Sequence, residues 1–196
     1  MKFIGITGGV GAGKSSVLTL LRENCNCKVL LADEVAATLM TPGHSCYDEV
    51  VALDWPHEIL DDKGIIDRPA MAKGIFLNPK LREEVNAIVH PAVEREVLNQ
   101  VEMERNNHNI EYFFFEAALL LECGYGKLCD EVWYVYASEE VRRQRLKANR
   151  GYSDERIDAM LKSQLSDAEF RKQADFVIDN GGDRESTLLQ LRKILG

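Results

Sequence analysis

The run Gly8-Gly9-Val10-Gly11-Ala12-Gly13-Lys14-Ser15 matches the pattern G-x-x-x-x-G-K-[ST], directly after a short apolar run and at the start of a helical one. Its glycines can take backbone conformations closed to other residues. The N–H groups of Gly11, Ala12, Gly13, Lys14, Ser15 and Ser16 are therefore expected to converge on phosphate oxygens at the positive end of a helix. Lys14 would reach the β- and γ-phosphates of ATP, and the Ser15 hydroxyl would ligate Mg²⁺, an oxygen-seeking ion that bridges those same phosphates. The chemistry this predicts is phosphoryl transfer; a glycine turn that binds nothing is the alternative.

Such a loop is common to kinases, GTPase switches and motor ATPases, so the acceptor side must discriminate. Asp33 ends a second apolar run. There a carboxylate would share a sheet edge with the loop and could take a proton from an acceptor hydroxyl, or it could cap the helix that follows. Glu116 ends an aromatic strand, a place for an acidic group beside magnesium waters or for an ordinary surface carboxylate. Arg142, Arg143, Arg145, Lys147 and Arg150 form a basic cluster. Pairs such as Glu139 to Arg143 account for some of it as a solvated helix. Others could clamp a transferring phosphate; Arg145 is the first candidate, with Arg142 and Arg150 behind it.

These residues need elements to hold them. Lys2 to Thr7 reads as a strand, and Lys14 to Glu23, with Val17, Leu18, Leu20 and Leu21 at helical spacing, as a helix. Lys28 to Ala32 is a second strand, followed by a helix up to Pro42-Gly43. Tyr112 to Phe115, Val132 to Tyr136 and Phe176 to Ile178 are aromatic or β-branched strands separated by helical stretches, the pattern of an α/β fold with a mainly parallel sheet. From about 44 to 105 the chain reads as a charged helical layer with breaks at Trp55-Pro56, Lys63-Gly64, Asn78-Pro79 and His90-Pro91. The dense charge of Arg142 to Lys172 suggests a mobile surface arm.

Composition narrows the partners. A net charge of −8 argues against nucleic acid or an anionic membrane, which are held by clustered Lys and Arg. No segment reaches the roughly 20 apolar residues of a membrane span, and the start turns glycine-rich by Gly8 instead of forming a signal-peptide core, which predicts a cytoplasmic protein. The five cysteines show no C-x-x-C pair and the four histidines no H-E-x-x-H, so neither disulfides nor a metal cage is expected. Nothing in the sequence decides oligomeric state; a monomer is the expectation.

Taken together, these residues resemble the dephospho-coenzyme A kinase family over essentially the whole chain. The similarity lies in Gly5-Ile6-Thr7-Gly8 through Ser16, in Leu31-Ala32-Asp33 with Val35-Ala36, and in Gly64-Ile65-Ile66-Asp67-Arg68, Ile75-Phe76-Leu77-Asn78 and Val89-His90-Pro91. It continues in Ala117 to Glu122, and in Gln164 with Ala174 to Gly181. The chain departs from the family at Leu31, where an Asp is usual, at Ala118, where a Pro is usual, and around Asn149-Arg150, where the lid arginine is displaced by one position.

The resemblance implies a three-layer α/β P-loop kinase with a five-stranded, mainly parallel sheet. Its single domain, 1–196, would comprise a core at about 1–43, 106–140 and 174–196, a helical substrate-binding insertion at about 44–105 and a lid at about 141–173. It implies ATP and dephospho-coenzyme A as substrates, with Mg²⁺. Asp33, Lys14 and Arg145 would be catalytic; Gly11 to Ser16, Arg142 and Arg150 would bind ATP; Asp33, Arg68, His90 and Glu116 would bind the acceptor. Another small-molecule kinase, for a nucleoside, a nucleoside monophosphate or a shikimate-like acceptor, is the nearest rival reading. A nucleotide switch is a more distant one, since no guanine-specific Asn-Lys-x-Asp is present.

Overall fold

The structure, a computed structural model, describes residues 1–196. In chain order the elements are β1 (Lys2–Thr7), α1 (Lys14–Asn24), β2 (Cys27–Leu31), α2 (Ala32–Leu39), α3 (Tyr47–Val51), α4 (Arg68–Leu77) and α5 (Pro79–Asn107). Then follow β3 (Tyr112–Glu116), β4 (Glu131–Tyr136), α6 (Glu139–Arg150), α7 (Asp154–Lys162), α8 (Asp167–Gln173), β5 (Phe176–Asp179) and α9 (Arg184–Leu195). The chain forms two compact units: Met1–Leu30 with Glu104–Gly196, and Leu31–Met103.

The first unit is built on a five-stranded sheet in the order β2-β3-β1-β4-β5. β1 runs parallel to β3 and to β4, and β4 parallel to β5. Parallel strands are covered on both faces, which explains why they read as unbroken apolar runs: Phe113, Phe114 and Phe115 have no exposed surface, nor do Ile4, Ile6 and Val135. Phe114 meets Trp133 at 5.5 Å and Phe3 meets the edge of Phe113 at 5.6 Å. Each such buried side chain contributes about 1.5–3 kcal/mol. Register then does positional work: Ile6 pairs with Glu116, and Thr7 with Tyr134, at the end of β1 from which the glycine loop departs.

The charge-dense stretch 142–172 is folded into the three helices α6, α7 and α8. Ser138, Ser153 and Ser166 accept the first free N–H groups of these helices, with Glu169 closing a capping box on Ser166. Each helix buries one anchor: Leu146, Ile157 and Phe170 respectively. Phe170 stacks on Tyr134 of β4 at 4.7 Å, which fixes α8 to the sheet. In this way a segment of very low hydropathy is held by three apolar contacts and its caps.

The second unit is helical. Its turn at Lys63-Gly64 is closed by Asp61, whose carboxylate accepts the N–H groups of Lys63 and Ile65 at 2.9 and 2.8 Å. Asn78-Pro79 is a break as expected, since Asn78 Oδ1 accepts the Leu81 N–H at 3.2 Å and Pro79 takes the first position of α5. His90-Pro91 is not a break, contrary to expectation: α5 runs through it for 29 residues. A helical proline costs about 3 kcal/mol, whereas the flanking Val85, Val89, Ala92, Val93 and Val97 are all buried, and several aliphatic burials at about 1.5–3 kcal/mol each outweigh that cost. No helix is long and apolar enough to cross a membrane.

Candidate active site

β1 is buried from Phe3 to Thr7, and the chain then turns through the glycine loop into α1. Gly13 is the residue before the helix, with φ of 89° and no side-chain cap; its carbonyl accepts the Ser16 and Val17 N–H groups, and those of Lys14 and Ser15, the first two of α1, face any anion at that end. A side chain at Gly13 would be strained in that conformation, and its Cβ would lie 2.3 Å from the Asn180 amide nitrogen. Ser15 and Ser16, in the first turn, are exposed. Lys14 folds back along the loop: its Nζ donates to the Gly8 carbonyl at 2.9 Å and stands 3.6 Å from the Glu116 carboxylate.

From the other side the loop is held by α6 and by the residue after β5. Arg142 Nε donates to the Val10 carbonyl at 2.8 Å. Arg145 donates from Nη1 to the Ala12 carbonyl at 3.2 Å and from Nη2 to the Asn180 carbonyl at 2.8 Å. Asn180, itself buried, donates from Nδ2 to the Ala12 and Gly13 carbonyls at 2.8 and 3.3 Å and accepts the Thr187 hydroxyl at 3.2 Å. In a planar trans peptide the carbonyl of one residue and the N–H of the next point in opposite directions. Holding the Val10 and Ala12 carbonyls outward therefore turns the Gly11 and Gly13 N–H groups inward, which is the geometry an anion needs.

The basic cluster divides by helix face. Arg142 and Arg145, three apart, share the face turned to the loop. Arg143 turns away, bonded to Glu139 at 2.8 Å and to Asp158 at 2.5 Å, and Lys147 pairs with Asp154 at 2.7 Å. Arg150 ends α6 and is exposed. Burial draws the Arg142 pKa below its ordinary value, opposed by Tyr134, Glu139 and Asp167, yet a guanidinium stays charged at any working pH.

The other predicted residues belong to the second unit. Asp33 is the second residue of α2 and exposed. The N-cap of that helix is Leu31, with no side-chain hydrogen bond, so Asp33 is not spent as its cap. Arg68 is the exposed first residue of α4, whose cap is Asp67. His90 lies half-buried in α5, and burial lowers its pKa, which keeps the imidazole neutral at pH 7. Loop, Lys14, Glu116, Arg142 and Arg145 are thus brought together within the first unit.

Three residues that motif reading left without a role also stand here. Asn180 and Gln164 bond to the loop across more than 150 positions, a pairing no local pattern announces. Thr7 is wholly buried and its hydroxyl has no hydrogen-bond partner. An unpaired buried hydroxyl costs about 1–3 kcal/mol. Thr7→Val is therefore expected to raise stability by about 1 kcal/mol, or about 2–4 °C in thermal midpoint for a chain of this size. A lowered midpoint in calorimetry would contradict this account of Thr7.

A strand, a glycine loop and a helix at the end of a parallel sheet, with arginines of α6 on the loop, define the class of P-loop phosphotransferases. The family model described as Dephospho-CoA kinase matches residues 2–185. The dephospho-CoA kinase of Carboxydothermus hydrogenoformans is 36% identical over 195 residues, covering 100% of this chain and 93% of that one. That of Geobacillus kaustophilus is 37% identical, covering 98% and 94%. The solved structure of dephospho-CoA kinase from Campylobacter jejuni superposes with a TM-score of 0.73 at 22% identity, over 98% of this chain and 94% of that one. The chain belongs to the dephospho-CoA kinase family.

Proposed function

We propose that the protein transfers the γ-phosphate of ATP to the ribose 3′-hydroxyl of dephospho-coenzyme A, releasing coenzyme A and ADP, as the last step of coenzyme A synthesis. The observation that carries this is the outward tethering of the Val10 and Ala12 carbonyls by Arg142, Arg145 and Asn180, in a chain matched by the family model along nearly its whole length. The loop residues 11 to 16 hold the triphosphate, led by the N–H groups of Gly11, Gly13, Lys14 and Ser15, since those of Ala12 and Ser16 are bonded to the Gly9 and Gly13 carbonyls, and Lys14 exchanges the Gly8 carbonyl for a β- or γ-phosphate oxygen. Arg142 and Arg145 set two positive charges beside the loop, where the charge of the transferring group spreads over its equatorial oxygens. Arg150 adds a third where the lid reaches the nucleotide. Asp33 positions the acceptor hydroxyl and takes its proton, while Arg68, His90 and Glu116 serve the acceptor side.

The residues fit Mg²⁺ in the manner of nucleotide-borne magnesium. No cluster of three or more His, Cys, Asp or Glu side chains forms a protein cage, and this ion takes one or two protein oxygens plus substrate phosphates. Ser15, exposed in the first turn of α1, supplies such an oxygen, and Glu116 stands 3.6 Å from Lys14. When bound, the ion neutralises charge on the β- and γ-phosphates. The setting that goes with this chemistry is a monomer in the cytoplasm.

The test is ADP release from the purified protein with ATP and Mg²⁺, offering dephospho-coenzyme A, adenosine, AMP, CMP and shikimate in turn. Turnover with dephospho-coenzyme A alone, with coenzyme A as co-product, is the expected result. Turnover with any other acceptor in preference would retain phosphoryl transfer and overturn the acceptor.

A further inference from the structure

We infer that Gln164 is a positioning residue of the phosphate cradle, tying the outer limb of the glycine loop to Arg142 through one shared oxygen. Gln164 lies between α7 and α8, and its Oε1 accepts the Val10 N–H at 3.0 Å and Arg142 Nη2 at 3.0 Å. Arg142 Nε in turn donates to the Val10 carbonyl at 2.8 Å. The three residues close a triangle of hydrogen bonds in which both backbone groups of Val10 are taken by the lid segment.

The triangle has a direction. The Val10 N–H precedes the run of N–H groups at 11 to 16 that a phosphate would use, so binding it to Gln164 costs the cradle nothing. The Val10 carbonyl, held outward, sets the Gly11 N–H inward. Gln164 thus acts on the phosphate site twice, once through the Val10 peptide and once by aiming the guanidinium that holds the other side of it. Gly9 shows how close the packing is: a Cβ there would stand 2.4 Å from an Arg142 nitrogen, so only glycine lets the guanidinium lie on the loop. The groups whose charge favours the Arg142 guanidinium are Glu139 of its own helix, Tyr134 of β4 and Asp167 of α8.

The triangle uses only the oxygen of the Gln164 side chain, and this is what makes the inference testable. Gln164→Glu keeps an acceptor for both donors, and its added charge is offset by Arg142. Gln164→Leu keeps the bulk and removes the acceptor. The kinetic arm rests on the kinase reading above, so three further readouts are taken that do not: ATP affinity by titration calorimetry, amide exchange at Val10 and Gly11, and thermal midpoint. Gln164→Leu is expected to weaken ATP binding and raise KM for ATP about tenfold or more, as losing bonds to a charged group does. It should also speed exchange at Val10 and Gly11 while leaving KM for the acceptor within about twofold. Gln164→Glu should return ATP affinity to within about threefold of the parent. If the two variants behave alike, whether both like the parent or both impaired, Gln164 does not position the cradle. If the parent itself fails to phosphorylate dephospho-coenzyme A, the acceptor assignment falls, and ATP affinity with amide exchange still decides the role of Gln164.

Discussion

Asp33→Asn is expected to lower kcat by about 10²–10⁴-fold, the contribution of a well-placed general base, while ATP affinity and thermal midpoint stay near those of the parent. The substitution is clean because of where Asp33 sits. It is exposed, it makes no capping hydrogen bond, and Leu31 is the N-cap of α2. Removing its charge forfeits only its interaction with the helix dipole, about 0.3–1 kcal/mol. A large loss of turnover therefore reports chemistry and not folding. Steady-state kinetics beside ATP titration calorimetry checks the assignment: kcat should fall in the variant while ATP affinity does not. Near-parental turnover in Asp33→Asn would remove Asp33 from proton transfer altogether.

Lys14→Ala should abolish turnover by about 10²–10³-fold or more, the scale on which a single preorganised donor to developing charge acts, and it should weaken ATP binding at the same time. The two effects go together because the ammonium contacts phosphate oxygens both before and during transfer. Lys14 also has a place in the resting protein, beside the Glu116 carboxylate at 3.6 Å with both side chains largely buried. Truncating it withdraws a positive partner from a largely buried carboxylate, so the thermal midpoint should fall as well. Adding Glu116→Gln to Lys14→Ala separates the two consequences. The double variant should recover part of the lost midpoint and none of the lost turnover. Recovery of turnover would mean that Lys14 serves only to neutralise Glu116.

What could be read along the chain and what could not follows from the range of the forces involved. The glycine loop was legible because eight consecutive residues carry its whole chemistry. The strands were legible because a covered parallel strand must be apolar at every position, as Tyr112 to Phe115 and Val132 to Tyr136 are. The cations of the 142–150 cluster were legible in part: Arg145 and Arg142 do turn to the loop, and Arg143 pairs with Glu139 as its spacing implies. All of them lie on one helix, and its rotation is set by how Leu146 packs, not by the charges themselves. Asn180 and Gln164 belong to recognisable sequence motifs, but their hydrogen bonds to Ala12 and Val10 join residues that only tertiary structure brings together. At Pro91 a local rule lost to burial: a helix breaker sits inside α5 because its neighbours on both sides are buried.

The tethers on the glycine loop also say something about the order in which the protein can come into being. Every side chain that orients the Val10 and Ala12 carbonyls comes from residues 142, 145 and 180 of a 196-residue chain. A ribosome releases the loop first and its supports last. The motif that names the activity most plainly is thus an unfinished part until Asn180, 168 positions beyond Ala12, has emerged. The nascent chain passes through most of its synthesis with the sequence of a phosphate site but without its shape, and contacts so far apart along the chain are the slow ones to close.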